Sequence, residues 1–313
     1  MDQPIVELIG ITKCFRSNWT FRPTRAIDDL SFAITAGEVL GLIGHNGAGK
    51  TTTFKLLVGL LRPTSGTLLW EGRPLEWHRP RQQIGFSPEQ PYFYEYLTVS
   101  ETLNFYGQLY GMDGRARRAR IGELAGQFRI AHKLNAPMRT LSKGTLQRVA
   151  VAQAIMPRPR LVILDEPMSG LDPVGRKEMR DLIAALKHDG TTVLFSSHIL
   201  SDAEALCNRV AILGQGRLHE VINLDRGAAP AEGYTMIVIG TSCRALTRLA
   251  HLAGERPVGG PERWTVKIKD RATVNALLPE LHGSGLDVEA ILPDAPSLER
   301  QFLRHATNGY NGD

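Results

Sequence analysis

Residues 44–51 read Gly-His-Asn-Gly-Ala-Gly-Lys-Thr, a glycine, four intervening residues and then Gly-Lys-Thr. Such a stretch suits a phosphate. Gly44, Gly47 and Gly49 let the backbone take turns closed to residues with a Cβ, so that successive N–H groups, those around Asn46, Ala48 and Thr52 included, point inward at phosphate oxygens. Lys50 supplies a mobile cation for the β- and γ-phosphates, and the Thr51 hydroxyl is placed to ligate Mg²⁺. Farther along, Leu161-Val162-Ile163-Leu164 runs into two acids. Asp165 is suited to hold Mg²⁺ through water and Glu166 to polarise an attacking water. His198 follows Ser196-Ser197 at the end of another apolar run. A lone histidine there would be structural; as the third polar group in a series of strand ends, it reads as a contact to a γ-phosphate.

Elements must position these groups. Val39–Ile43 is a short apolar run of the kind a buried strand uses, and Phe54, Leu57, Val58 and Leu61 recur at helical spacing after the glycine stretch, predicting strand, loop and helix in succession. The helix adds the positive end of its dipole to the loop. The apolar runs 161–164 and 191–195 predict buried parallel strands delivering polar groups at their carboxyl edge, and Val174–Lys187 an amphipathic helix between them. Ser142 in Leu141-Ser142-Lys143-Gly144-Thr145-Leu146-Gln147-Arg148 is a candidate N-cap of a small-residue helix ending near Ile155, a second anion site.

Around this frame, 5–11 and 30–34 read as strands flanking a polar loop, 16–25, that carries Trp19 and Phe21. Phe15, just before the loop, could stack on an adenine ring or pack at a sheet edge. Residues 67–70 and 84–86 are short strands, and 209–213 with 217–222 a closing hairpin. Aromatics are dense from Tyr92 to Tyr110, either core against a helix at 99–109 or an exposed patch for a partner. Arg115, Arg117, Arg118 and Arg120 lie on a predicted helix that continues to Phe128, a solvated face or a contact to lipid headgroups or nucleic acid.

With 313 residues, 42% apolar and 22% charged, about two domains are expected. Net charge is +5 and the isoelectric point near 9.2, compatible with an anionic ligand or membrane surface without requiring nucleic acid. Cys14, Cys207 and Cys243 are scattered and odd in number, which excludes a paired disulfide framework or zinc spacing and reads as reduced cytosolic thiols. There is no leader pattern and no apolar stretch approaching the ~18 residues of a membrane helix, so any membrane role passes through a partner. Residues 225–233 read as a linker, and the strands and helices beyond it, Ser297–His305 included, as a small α+β satellite.

The glycine loop, Leu141–Arg148, Asp165-Glu166, Ser169-Gly170-Leu171-Asp172 and His198 stand in the order of ATP-binding cassette (ABC) ATPases, which the chain resembles over about residues 4–222. The resemblance implies an α/β P-loop NTPase core with a mixed sheet, an antiparallel β subdomain and a helical subdomain at about 90–158, the ATPase domain being 1–224 and the α+β accessory domain 234–308. It implies ATP and Mg²⁺ as ligands, Phe15 as the adenine-stacking aromatic, Glu166 as the catalytic carboxylate and His198 as the switch histidine. Ser142 and Gly144 of the signature would meet the ATP of an opposite subunit in a head-to-tail homodimer, and Asp172 would be a further nucleotide-binding residue. Lys143 and Thr145 replace the glycine and glutamine of the usual signature, and Glu89, a further candidate metal ligand beside Thr51 and Asp165, stands where most members carry a glutamine that senses the γ-phosphate and the membrane partner. Glu89 and the ending Pro296-Ser297-Leu298-Glu299 with Phe302-Leu303 are similar to exporters of the ABC-2 branch. The expected function is therefore ATP hydrolysis powering a separately encoded permease, from the cytoplasmic side of the inner membrane, with no nucleic-acid partner. The alternatives are a soluble ABC ATPase acting on DNA or ribosomes, whose usual coiled coil, zinc cysteines or second cassette are not visible, and a regulatory nucleotide switch without turnover.

Overall fold

The computed structural model describes residues 4–16, 23–75, 83–224, 233–260, 262–282 and 284–293. The chain divides into two compact units, 1–224 and 225–313. In the first, β1 (Pro4–Arg16), β2 (Pro23–Thr35), β4 (Ser65–Trp70) and β5 (Arg73–Pro74) form an antiparallel sheet of order β2-β1-β4-β5. β3 (Val39–Ile43), β6 (Ile84–Ser87), β7 (Leu161–Leu164), β8 (Thr192–Ser197), β9 (Arg209–Gly214) and β10 (Arg217–Asn223) form a mixed sheet of order β10-β9-β3-β8-β7-β6, parallel except where β10 turns back along β9. β3, β7 and β8 are buried at every position, which is why they read as unbroken apolar runs.

Among the described residues, the α-helices of this unit are α1 (Lys50–Leu57), α2 (Val99–Leu109), α3 (Gly114–Gln127), α4 (Lys143–Ala154), α5 (Pro173–His188) and α6 (Leu200–Leu206). One apolar core joins both sheets through α1, with Leu8, Ile27 and Leu30 on one side, Phe54 and Leu57 in the middle, and Leu40, Ile163 and Leu194 on the other. Each such buried side chain contributes about 1.5–3 kcal/mol relative to exposure. Four of the helices start where short polar side chains take up free N–H groups: Thr98 with Glu101 in a capping box on α2, Asp113 on α3, Ser142 on α4 and Asp172 on α5.

Several expectations change in detail. The first two strands run on to Arg16 and begin again at Pro23, so Thr24 and Arg25 belong to β2 rather than to the polar loop; Trp19 and Phe21 lie outside the described residues. α1 stops at Leu57 instead of Leu61, because Gly59 takes a left-handed turn. α6 carried no clear periodic signal. The aromatic stretch divides: Phe93 is buried and stacks edge-on with Tyr106, whereas Tyr92, Tyr94 and Tyr96 are exposed. The arginine run divides as well. Arg120 is buried, donating to the carbonyls of Ile155 and Met156 just beyond α4, and Arg117 binds Asn104 and the Met112 carbonyl, leaving Arg115 and Arg118 on the solvent face.

In the second unit, β11 (Tyr234–Ile239), α7 (Cys243–Ala253), β12 (Val258–Gly259), β13 (Arg263–Ile268), α8 (Arg271–Leu281) and β14 (Asp287–Pro293) give a β-α-β-β-α-β succession. Its sheet order is β12-β13-β11-β14, with every pairing antiparallel. That is the ferredoxin-like arrangement. Met236, Val238 and Val266 of the sheet pack with Leu249 of α7 and Leu277 of α8 in a separate core. Most of the expected linker and the helix at 297–305, with the ending 296–303, lie outside the described residues. Among the described residues no helix is long and apolar enough to cross a membrane.

β6 and α4 approach so closely at Gly85 that a Cβ there would sit 2.1 Å from the Ala154 carbonyl oxygen, while Gly122 in α3 faces open space. Gly85→Ala should destabilise the first unit by about 1–3 kcal/mol through overpacking. Gly122→Ala should stabilise it by about 0.5–1 kcal/mol through helix propensity. Urea unfolding followed by circular dichroism measures both, and equal midpoints would contradict the packing.

Candidate functional site

The carboxyl ends of β3, β6, β7 and β8 lie along one edge of the mixed sheet. At that edge a cavity of about 450 Å³ is lined by residues 45–52 together with Glu89, Asp165, Glu166, Ser169 and His198. Gly44 belongs to the loop for a reason the spacing alone did not reveal. Its φ is not positive; a Cβ would collide with the Leu213 carbonyl oxygen at 2.4 Å, so glycine is required there by the neighbouring strand. Gly47 and Gly49 do take left-handed turns, at φ 84° and 105°. Gly49 is also the N-cap of α1 and offers no side chain to the first turn, so the leading N–H groups of that helix face the loop rather than a cap.

Lys50 is 7% exposed, and its Nζ donates to the carbonyl oxygens of Gly44 at 2.6 Å and His45 at 3.3 Å. The same ammonium lies 3.5 Å from Glu166 Oε1. The other carboxylate oxygen of Glu166 accepts from His198 Nδ1 at 2.9 Å. Glu166 thus stands between a cation and an imidazole, a carboxylate held in place with one edge toward the cavity. Beside it, Asp165 is 2% exposed and its two oxygens are separately occupied: Oδ2 accepts from Thr51 Oγ1 at 2.8 Å, Oδ1 from Ser196 Oγ at 2.7 Å. A buried carboxylate is tolerated because hydroxyl donors satisfy it.

The donor set is one of hard oxygens, a hydroxyl and a carboxylate side by side at the cavity wall. It matches what Mg²⁺ takes from a protein when phosphate and water supply the remaining positions. Lys50, the loop N–H groups and the α1 N-terminus supply positive charge for the triphosphate itself. Glu89 is exposed and reaches the same cavity from the end of β6. Asn46 and Ala48 line it from the loop and Thr52 from the first turn of α1.

Not every expected residue meets this cavity. Phe15, at the end of β1, is 40% exposed with Lys13 Nζ 5.2 Å from its ring centroid, and it does not line the cavity. Ser142 and Gly144 sit at the start of α4, and Asp172 at the start of α5, where its Oδ1 accepts from Gly175 N at 2.7 Å; none lines the cavity of its own chain. Ser196, buried in β8, is the residue that sequence reasoning passed over. Its only signal was a hydroxyl at the end of the apolar run Val193–Phe195, and its partner depends on a register no sequence states. Of the thiols, Cys14, Cys207 and Cys243 are all free, and burial pushes Cys207 well above the ordinary range, which leaves it inert.

The model of the family described as ABC transporter matches residues 27–169. An uncharacterized ABC transporter ATP-binding protein of Synechocystis sp. is 38% identical over 304 residues, 96% of this chain and 84% of that relative. The Nod factor export ATP-binding protein I of Ralstonia nicotianae is 34% identical over 310 residues, 96% of this chain and 93% of its own length. Among solved structures, an ATP-binding subunit of an ABC transporter is similar with TM-score 0.62 and 33% identity, over 71% of this chain and 90% of that one. A dimeric ATP-binding cassette in a post-hydrolysis state bound to ADP and Pi is similar with TM-score 0.64 and 26% identity, over 70% of this chain and 98% of that one. With the glycine loop, the paired acids and the histidine gathered at one sheet edge, the chain belongs to the ABC transporter family as an ATP-binding, ATP-hydrolysing subunit.

Proposed function

We propose that this subunit drives a separately encoded, membrane-spanning permease of the ABC-2 type, exporting its substrate from the cytoplasm, and works as a head-to-tail homodimer at the cytoplasmic face of the inner membrane. The observation that carries the reading is a division within one chain. Lys50, Thr51, Asp165, Glu166 and His198 share a cavity, while Ser142, Gly144 and Asp172 stand outside it. A triphosphate held only by the first set keeps one side open, and the α4 N-terminus of a second copy would close it. The dimeric state of a similar cassette supports this arrangement, and the printed name of the Nod factor relative supports export.

In this reading Lys50 exchanges its carbonyl contacts for the β- and γ-phosphates, and Phe15 stacks on the adenine. Mg²⁺ bound between Thr51 and Asp165 would neutralise charge developing on the phosphates. Glu166 accepts the proton of the attacking water, with the His198 Nδ1 proton holding its far oxygen in place and Lys50 shielding its charge. Loss of the γ-phosphate removes the shared ligand, and the dimer opens. Glu89 lines the cavity a few residues before the exposed tyrosines 92, 94 and 96, a surface suited to pass that motion to the permease.

Two substitutions test the scheme. Lys50→Ala should abolish nucleotide binding, measured by calorimetry with ATP; retained micromolar affinity would refute the role of the lysine. Glu166→Gln should bind ATP yet turn it over at least about a hundredfold more slowly, within the range attributed to a positioned base. It should also elute as a dimer from a sizing column equilibrated in ATP and Mg²⁺. A monomer under those conditions would sink the two-copy site.

A further inference from the structure

Glu166 has φ 46°, in the left-handed region that a residue with a side chain adopts at a cost of about 1–3 kcal/mol. The following Pro167 narrows its choices further. This peptide is held from the neighbouring strand: Glu166 N donates to Ser196 Oγ at 2.7 Å. The Ser196 hydroxyl has a single proton, which it donates to Asp165 Oδ1 at 2.7 Å. Asp165 Oδ2 in turn accepts from Thr51 Oγ1. A directional chain therefore runs from the Glu166 amide through Ser196 to the carboxylate beside Thr51. Ser196 is fully buried, and parallel pairing of β7 with β8 sets Phe195 opposite Leu164, so the residues that follow, Ser196 and Asp165, fall side by side. The adjacent Ser197 spends its hydroxyl on the backbone of Ile199.

We propose that Ser196 is a positioning residue of the ATPase site, which orients Asp165 toward the metal beside Thr51 and holds the left-handed peptide that aims Glu166 between Lys50 and His198. The proposal rests on the reading of Thr51 and Asp165 as the Mg²⁺ pair. Removing the hydroxyl releases Asp165 Oδ1, so the carboxylate can rotate and draw Oδ2 from Thr51, and it takes the acceptor from the half-buried Glu166 amide.

Ser196→Val and Ser196→Thr have nearly equal volume and differ by the hydroxyl, so their comparison separates hydrogen bonding from packing. Three readouts apply to the full chain. Titration with Mn²⁺, followed by electron paramagnetic resonance in the presence of a non-hydrolysable ATP analogue, should show metal affinity lowered by about tenfold in Ser196→Val. Exchange of the Glu166 amide in nucleotide-free protein, read by mass spectrometry on the 165–168 segment, should accelerate by about tenfold. Turnover at saturating ATP should fall by about tenfold or more with KM nearly unchanged. Ser196→Thr should restore all three to within about threefold of the parent. Where the added methyl prevents folding of both, Ser196→Ala removes the hydroxyl without added volume and must reproduce the three losses. Valine and threonine variants that behave alike, or an alanine variant with parental Mn²⁺ affinity and amide exchange, would overturn the proposal. The first two readouts need no hydrolysis, so they move even if Glu166→Gln shows that Glu166 is not the base.

Discussion

Everything at the site depends on charges being paired across the ends of three parallel strands. Lys50 follows β3, Asp165 and Glu166 follow β7, His198 follows β8, and the sheet between them is buried and apolar. Groups this poorly hydrated are stable only when each finds a partner on another strand. Lys50 reaches across to Glu166, Glu166 to His198, Thr51 to Asp165, and Asp165 to Ser196. Slipping one strand by a residue would put its polar end on the opposite face and leave several of these charges unmatched. The pairing therefore specifies the register of the sheet while the sheet aims the pairing, and a phosphate-bearing ligand fits because it substitutes for contacts Lys50 already makes to the protein's own carbonyls.

What was legible beforehand is what the chain encodes locally. The glycine loop, its lysine and threonine, and the acids at the end of an apolar run sit within a few residues of one another, and the α/β core follows from the alternation of buried strands with amphipathic helices. Ser142 announced a helix start through the same local chemistry, whereas the caps Asp172, Asp113 and Thr98 emerge only in the structure. What escaped was set by neighbours distant in the chain. Gly44 is demanded by Leu213, Ser196 acquires meaning from Asp165, and Arg120 is drawn away from solvent by carbonyls beyond α4. Such demands leave no trace in spacing, because the contacting residues are 31 to 169 positions apart. Phe15 shows the same for placement: its residue type suits stacking, and only the structure puts its ring in the open beneath Lys13.

The altered signature bears on how a second copy would complete the site. Ser142 Oγ accepts from Thr145 N at 3.3 Å and lies 2.9 Å from Thr145 Oγ1, so threonine where the family has glutamine keeps the cap hydroxyl engaged within its own turn. The Lys143 side chain lies across Gly170, whose missing Cβ would sit 2.1 Å from the ammonium nitrogen. A glycine at position 143 would leave that surface bare. The lysine adds a positive charge to a helix end that already favours anions, and it does so beside the Ser169–Asp172 turn, whose first residue lines the nucleotide cavity. Under the proposed dimer, the threonine gives Ser142 Oγ a hydroxyl neighbour within its own turn, and the lysine raises the field felt by any triphosphate approaching α4. An interface drawn together in part by that charge weakens with added salt as screening reaches its exposed ammonium.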